Sequence, residues 1–153
     1  MKEVENTNSN LTSFWSGGFL YNPRKNSVFL HKRDEKTKYN PGYLAFFGGL
    51  NEGQKETPEE CFQREILEEA GLEVAKQDII YLDNYMNKKL NTHRFVFYIL
   101  SEARKEDLVL GEGAGFEWFE LEKVFKQKLT EKTRSDLKKF KKEKVETKKL
   151  SPG

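Results

Sequence analysis

The sequence predicts an α+β fold, with a mixed β-sheet sandwiched between helices. Three observations carry that expectation. The elements run strands, one helix, strands and then helices, without the regular strand–helix alternation of a parallel sheet. The internal helix, over residues 58–70, has both ends marked by capping residues. The 153 residues include twelve phenylalanines and show no internal repeat, which suits one domain with a packed core.

Taken in order, residues 1–10, MKEVENTNSN, are polar and read as a flexible N-terminus. A single domain is expected over 11–145, with a flexible polar tail over 146–153. LTSFWSGGFLYN (11–22) and SVFLHKR (27–33) have strand character, and the turn residues NPRKN between them predict a hairpin. DEKTKYNPG (34–42) reads as a charged loop, and YLAFFGG (43–49) as one short apolar strand ending in two glycines. Thr57 is the expected N-cap of the internal helix, Pro58 its first residue, Glu60 the capping-box partner and Gly71 the stop. DIIYLDNYMN (78–87) and NTHRFVFYILSEA (91–103) are two further strands, and EDLVLGEGAG (106–115) is a glycine-rich loop. FEWFEL (116–121) alternates aromatics as a last strand. Helix is expected over about 121–125 and again over about 130–145.

Bulk properties exclude several classes. A formal net charge of +2 implies neither nucleic acid nor membrane as a partner. Cys61 is the single cysteine, so no intrachain disulfide forms, which suits a reducing compartment. The first ten residues lack the apolar centre of a signal peptide, and no run approaches a membrane span. The expected location is the cytoplasm.

The stretch KETPEECFQREILEEAGLE (55–73) holds seven glutamates. On a helix, Glu65, Glu68 and Glu69 share a face, because i, i+3 and i+4 lie together. They border the apolar stripe of Phe62, Ile66 and Ala70, while Arg64 is read as pointing elsewhere. Like charges at this spacing repel by a few tenths of a kcal/mol per pair. A solvated acidic face lies more usually opposite the core, with lysines four residues on, and this helix has no lysine. Two readings follow: an exposed charged face, or a site for a hard cation such as Mg²⁺ or Mn²⁺.

The segment GGLNEGQKETPEECFQREILEEAGL (48–72) resembles the signature of the Nudix hydrolase family (MutT-like). Glu56 is followed by seven residues and Arg64-Glu65, with Ile66 at the aliphatic position, then Glu68-Glu69 and Gly71-Leu72. One departure is present: six residues, not five, separate Gly49 from Glu56, and the extra one lies in the loop between about Gly53 and Glu56. More weakly, GEGAGFEWFEL (111–121) is similar to a later family stretch in which a loop acid precedes a Glu-Trp strand.

The resemblance implies a Nudix-type sheet between helices and hydrolysis of a nucleoside diphosphate linked to another group. It implies Mg²⁺ or Mn²⁺ as cofactor. Glu68 and Glu69 are the first metal ligands carried over, Glu65 is a ligand or the general base, and the Gly48 carbonyl is a backbone ligand. Glu112 is an additional acid, competing for the base role. Arg64 orients a glutamate by a charge-assisted pair. Cys61 is read as a small core filler, and His31 and His93 as strand residues far from the signature in sequence, with proton transfer not favoured for either. The lysine-rich stretch 125–149 is read as a solvated helix packed through Leu129, Leu137 and Phe140, with RNA binding not favoured.

The function expected is release of pyrophosphate from a nucleoside triphosphate or modified nucleotide, including oxidised purine nucleotides. A nucleotide-sugar pyrophosphatase, an RNA 5′-end pyrophosphohydrolase and a non-catalytic nucleotide-binding regulatory domain are the alternatives. The partner expected is a small nucleotide, and the sequence leaves oligomeric state open.

Overall fold

The computed structural model describes residues 13–38, 40–111 and 113–150, with side chains described as far as 145. Among the described residues nine elements form the frame: β1 (Phe14–Asn22), β2 (Ser27–Lys32), β3 (Leu44–Ala45), β4 (Phe47–Leu50), α1 (Pro58–Ala70), β5 (Ile80–Asn87), β6 (Thr92–Leu100), β7 (Gly115–Glu120) and α2 (Glu131–Leu150). The strands make one sheet of seven with the path β3-β2-β1-β6-β5, to which β4 adds beside β1 and β7 beside β2. β1 runs parallel to β6 and every other pairing is antiparallel, so the sheet is mixed, as expected.

Alternation along β1 explains the sandwich. Phe19 and Tyr21 face one side and join Val28, Leu30, Leu137 and Phe140 beneath α2. Leu20 faces the other side and joins Phe29, Phe47 and Phe97 against Phe62, Ile66 and Ala70 of α1. Each helix thus has its own core. Leu129, Leu137 and Phe140 are buried, as the sequence predicts for the C-terminal helix. On its outer side Lys139 pairs with Asp83 at 3.2 Å and Lys141 with Glu122 at 3.0 Å.

The structure refines several boundaries. The expected single strand over 43–49 divides at Phe46, because Leu44–Ala45 pair with β2 while Phe47–Leu50 pair with β1. Expected helix over 121–125 is only a short 3-10 turn at Val124–Lys126. α2 continues through 146–150, residues assigned in sequence to the polar tail; no glycine or proline stops it before Pro152. The expected flexible segment 1–10 lies outside the described residues. No helix among the described residues is long and apolar enough to cross a membrane.

α1 begins and ends where its caps place it. The Thr57 hydroxyl accepts from the Glu60 amide at 3.1 Å, and the Glu60 carboxylate accepts from the Thr57 amide at 3.0 Å. Gly71 closes the helix in the left-handed region, at φ 65°, and donates its N–H to the Leu67 carbonyl. Thr57→Ala is therefore expected to lower stability by about 1 kcal/mol. Urea unfolding should show this as a lower midpoint with an unchanged slope.

Candidate active site

One guanidinium organises the acidic end of α1. Arg64 Nε donates to Glu56 at 2.8 Å and Nη2 to the same carboxylate at 3.2 Å, a two-pronged contact. Nη1 lies 3.0 Å from Glu65, 3.3 Å from Glu68 and 3.4 Å from Glu52. Nη2 also donates to the Leu50 carbonyl at 3.1 Å. Arg64 therefore does not point away from the acidic face, as its helical position suggests. Its long side chain bends back and sets one positive charge among four carboxylates. The Glu56 hydrogen bond is the largest cause holding the Arg64 pKa above the usual arginine range. The same bond, first among its causes, holds the Glu56 carboxyl below the usual carboxylate range.

The loop with the extra residue is accommodated around this centre. Glu56 Oε1 accepts from the Glu52 amide at 2.8 Å, and Asn51 donates to the Gly53 carbonyl at 2.9 Å. Gly53 takes φ 76° in open space, so the turn costs no clash. The insertion leaves the Glu56–Arg64 contact in place.

Glu65 and Glu69 face the β4 strand in different ways. A Cβ on Gly49 would meet a Glu65 carboxylate oxygen at 2.5 Å, so glycine there makes room for the acid. Glu69 is buried, accepting from the Gly48 amide at 3.1 Å, with His31 Nδ1 at 3.8 Å. Gly48 thus meets an acid of the trio through its N–H. Glu68 is the open member, with its side chain 48% exposed.

His31, far from the signature in sequence, comes to the site in space. β2 carries it beside Phe47, with the rings stacked at 5.0 Å. Sheet pairing erased the sequence distance, and no local motif around His31 signals it. His93 stays apart on β6, bonded to Asn84 at 2.8 Å. Cys61 is buried as expected, contacting the Gly49 carbonyl at 3.5 Å. Burial, then the Glu56 charge, pushes its thiol up to about 12, which leaves it unreactive.

The loop before β7 docks on the C-terminal end of α1. Val109 N–H donates to the Ala70 carbonyl and Gly111 N–H to the Glu69 carbonyl, each at 3.0 Å. A Cβ on Gly111 would run into the Glu68 carbonyl oxygen, and one on Gly113 into the His31 ring. Glu112 itself lies outside the described residues.

The donors suit a hard divalent cation, since the Glu65, Glu68 and Glu69 carboxylates and the Gly48 carbonyl offer only oxygen. Among the described residues no three acidic, histidine or cysteine side chains stand at metal-binding spacing. Glu65 and Glu68 turn to Arg64 while Glu69 turns inward to Gly48. The side chain of Arg64 nevertheless marks a focus of negative charge, which is what a cation needs. The residues present fit Mg²⁺ or Mn²⁺.

Comparison with known proteins gives a consistent result. The model of the NUDIX domain matches residues 16–142. A MutT NUDIX hydrolase from Burkholderia pseudomallei is similar at 24% identity and TM-score 0.63, over 82% of this chain and 95% of that one. A MutT/nudix family protein from Enterococcus faecalis is 21% identical with TM-score 0.59, over 70% of this chain and 43% of that one. A bifunctional NMN adenylyltransferase/ADP ribose pyrophosphatase from Francisella tularensis, complexed with AMP and a manganese ion, is 14% identical with TM-score 0.66. There the match covers 85% of this chain and 41% of that one. The chain spans less than half the length of the last two relatives.

Proposed function

The chain belongs to the NUDIX domain family, and from that premise we propose that it is a hydrolase, which bond it cleaves and with which residues. The substrate is a nucleoside diphosphate derivative, most readily a nucleoside triphosphate or modified nucleotide, giving the monophosphate and pyrophosphate. The observation that supports this best is the set Glu56, Glu65 and Glu68 held around Arg64, with Glu69 fastened to the Gly48 amide.

Glu68 and Glu69 are the proposed metal ligands, with the Gly48 carbonyl completing the donor set. Bound Mg²⁺ or Mn²⁺ supplies neutralisation of the diphosphate oxygens, which otherwise repel a nucleophile. The Gly48 amide holds Glu69 in one orientation, so its carboxylate is presented without further ordering. Glu65, packed over Gly49, is the proposed general base for the attacking water, with Glu112 as the competing acid. Arg64 positions Glu56 and Glu65 and does not need to touch substrate. The complete carboxylate set argues against a purely binding role. A cytoplasmic nucleotide pool is the proposed setting.

The test is turnover on a panel: nucleoside triphosphates, oxidised purine triphosphates, nucleotide sugars, dinucleoside polyphosphates and 5′-triphosphate RNA, with Mg²⁺ and with Mn²⁺. Pyrophosphate release from a triphosphate is the result expected. Turnover confined to nucleotide sugars or RNA would move the reading to that class. Nucleotide binding with no turnover on any member would overturn hydrolysis.

A further inference from the structure

Two carboxylates are buried among the described residues, Asp136 on α2 and Glu69 on α1, and each meets a basic side chain of the sheet. The two contacts differ in kind. Arg94 Nε donates to Asp136 at 3.0 Å, and the Tyr85 hydroxyl donates to the same carboxylate at 2.8 Å, so this cluster is closed by hydrogen bonds. His31, 9% exposed, turns Nδ1 to Glu69 Oε1 at 3.8 Å, which is longer than a hydrogen bond. That second contact reaches into the candidate active site.

Packing alone does not account for an imidazole at this place. β2 buries Val28, Phe29 and Leu30 just before it, and an aliphatic side chain would continue that run with no polar group to desolvate. The ring is nevertheless held from three directions. It stacks on Phe47, with centres 5.0 Å and planes 15° apart. The backbone of His31 pairs with Ala45 on one side and with Phe116 on the other. The loop before β7 closes over the ring: Gly111 N–H donates to the Glu69 carbonyl and Ala114 N–H to the Lys32 carbonyl, and a Cβ on Gly113, between them, would run into His31 Nε2.

We propose that His31 is a positioning residue for Glu69, fixing the rotation of its carboxylate so that the acid meets a divalent cation in one orientation. The Gly48 amide of β4 and Nδ1 of His31 on β2 face the same oxygen, Oε1, from two strands. A carboxylate held by one donor can swing about that contact, and a second donor from a different element restrains the swing. An ionised carboxylate only accepts, so the ring nitrogen turned to it carries a proton. The imidazole is set in advance, because Phe47 and the 111–114 loop hold its ring independently of Glu69's side chain. The inference rests on Glu69 as a metal ligand in the reading above.

Mn²⁺ binding by the full chain, without nucleotide, tests this apart from hydrolysis, with the free ion read from its electron paramagnetic resonance signal. His31→Leu keeps a side chain of similar volume against Phe47 and removes both nitrogens. It should weaken Mn²⁺ binding by about 10- to 100-fold, the usual effect of removing an outer partner of a metal ligand. His31→Asn sets its amide nitrogen where Nδ1 stands and should recover most of that loss. A merely packing role predicts the reverse order, since leucine fills the space better than asparagine. If His31→Leu does not fold, His31→Gln takes its place, because its longer amide reaches toward the Nε2 position, and the asparagine variant should still bind Mn²⁺ more tightly. Wild-type affinity in His31→Leu, or an asparagine variant no tighter than the leucine or glutamine one, would overturn this inference alone. A wild type that binds no Mn²⁺ would sink the ligand role of Glu69 and this inference with it. Weakening by His31→Leu and recovery by His31→Asn, with no turnover of any nucleotide, would sink only hydrolysis.

Discussion

Glu68→Gln should lower kcat by roughly 10³-fold, within the range that removal of one catalytic group gives, and leave the fold unchanged. The substitution keeps shape and removes only charge. Glu68 is half exposed, and its 3.3 Å pair with Arg64 is one of several that the arginine makes. An exposed helix pair at i, i+4 contributes only about 0.3–0.5 kcal/mol, so the melting temperature should move by about 1–2 °C. Glu59→Gln, in the first turn of the same helix, is the control and should keep full activity. The separation of a large kinetic loss from a small thermal shift marks a ligand rather than a structural charge. Equal activity of the Glu68→Gln and Glu59→Gln variants would mean that Glu68 only solvates its face.

How far the site was legible differs from residue to residue. α1 was readable because its signals are local: Thr57, Pro58, Glu60 and Gly71 cap it in sequence order, and each cap forms. The acids on α1 were readable for the same reason, since helical spacing alone puts Glu65, Glu68 and Glu69 together. Arg64 was harder, because a long side chain is not confined to the face of its own Cα. His31 was out of reach. It joins Glu69 only when β2 and β4 lie across the sheet, a long-range arrangement that periodicity cannot specify. Arg94 and Asp136 are 42 residues apart and each looks like an ordinary surface charge in sequence. What would have flagged them is the period of their elements. Arg94 shares a strand face with the buried Val96 two residues on, and Asp136 precedes the buried Leu137.

Arg64→Met should cost about 3 kcal/mol, because it removes the partner of a two-pronged, mostly covered contact with Glu56 and leaves that carboxylate among its own kind. For a chain of this size the melting temperature should fall by about 6–12 °C. Glu52, Glu65 and Glu68 lose the charge that lies between them, so these carboxylates repel one another and activity falls as well. The pH dependence separates this electrostatic account from simple loss of packing. In the wild type the Glu56 carboxyl is held below its ordinary range, chiefly by the Arg64 hydrogen bond. Its contribution is fully present above the unfolded carboxylate pKa of about 4.3, and is lost as pH falls through the lowered folded value. In Arg64→Met that lowering disappears, and protonation relieves the crowding. The stability gap between the two proteins should therefore narrow as pH drops from 7 to about 3, which urea titrations at each pH would read. A gap that stays constant across that range would mean that the methylene stem of Arg64, and not its charge, holds this end of the helix.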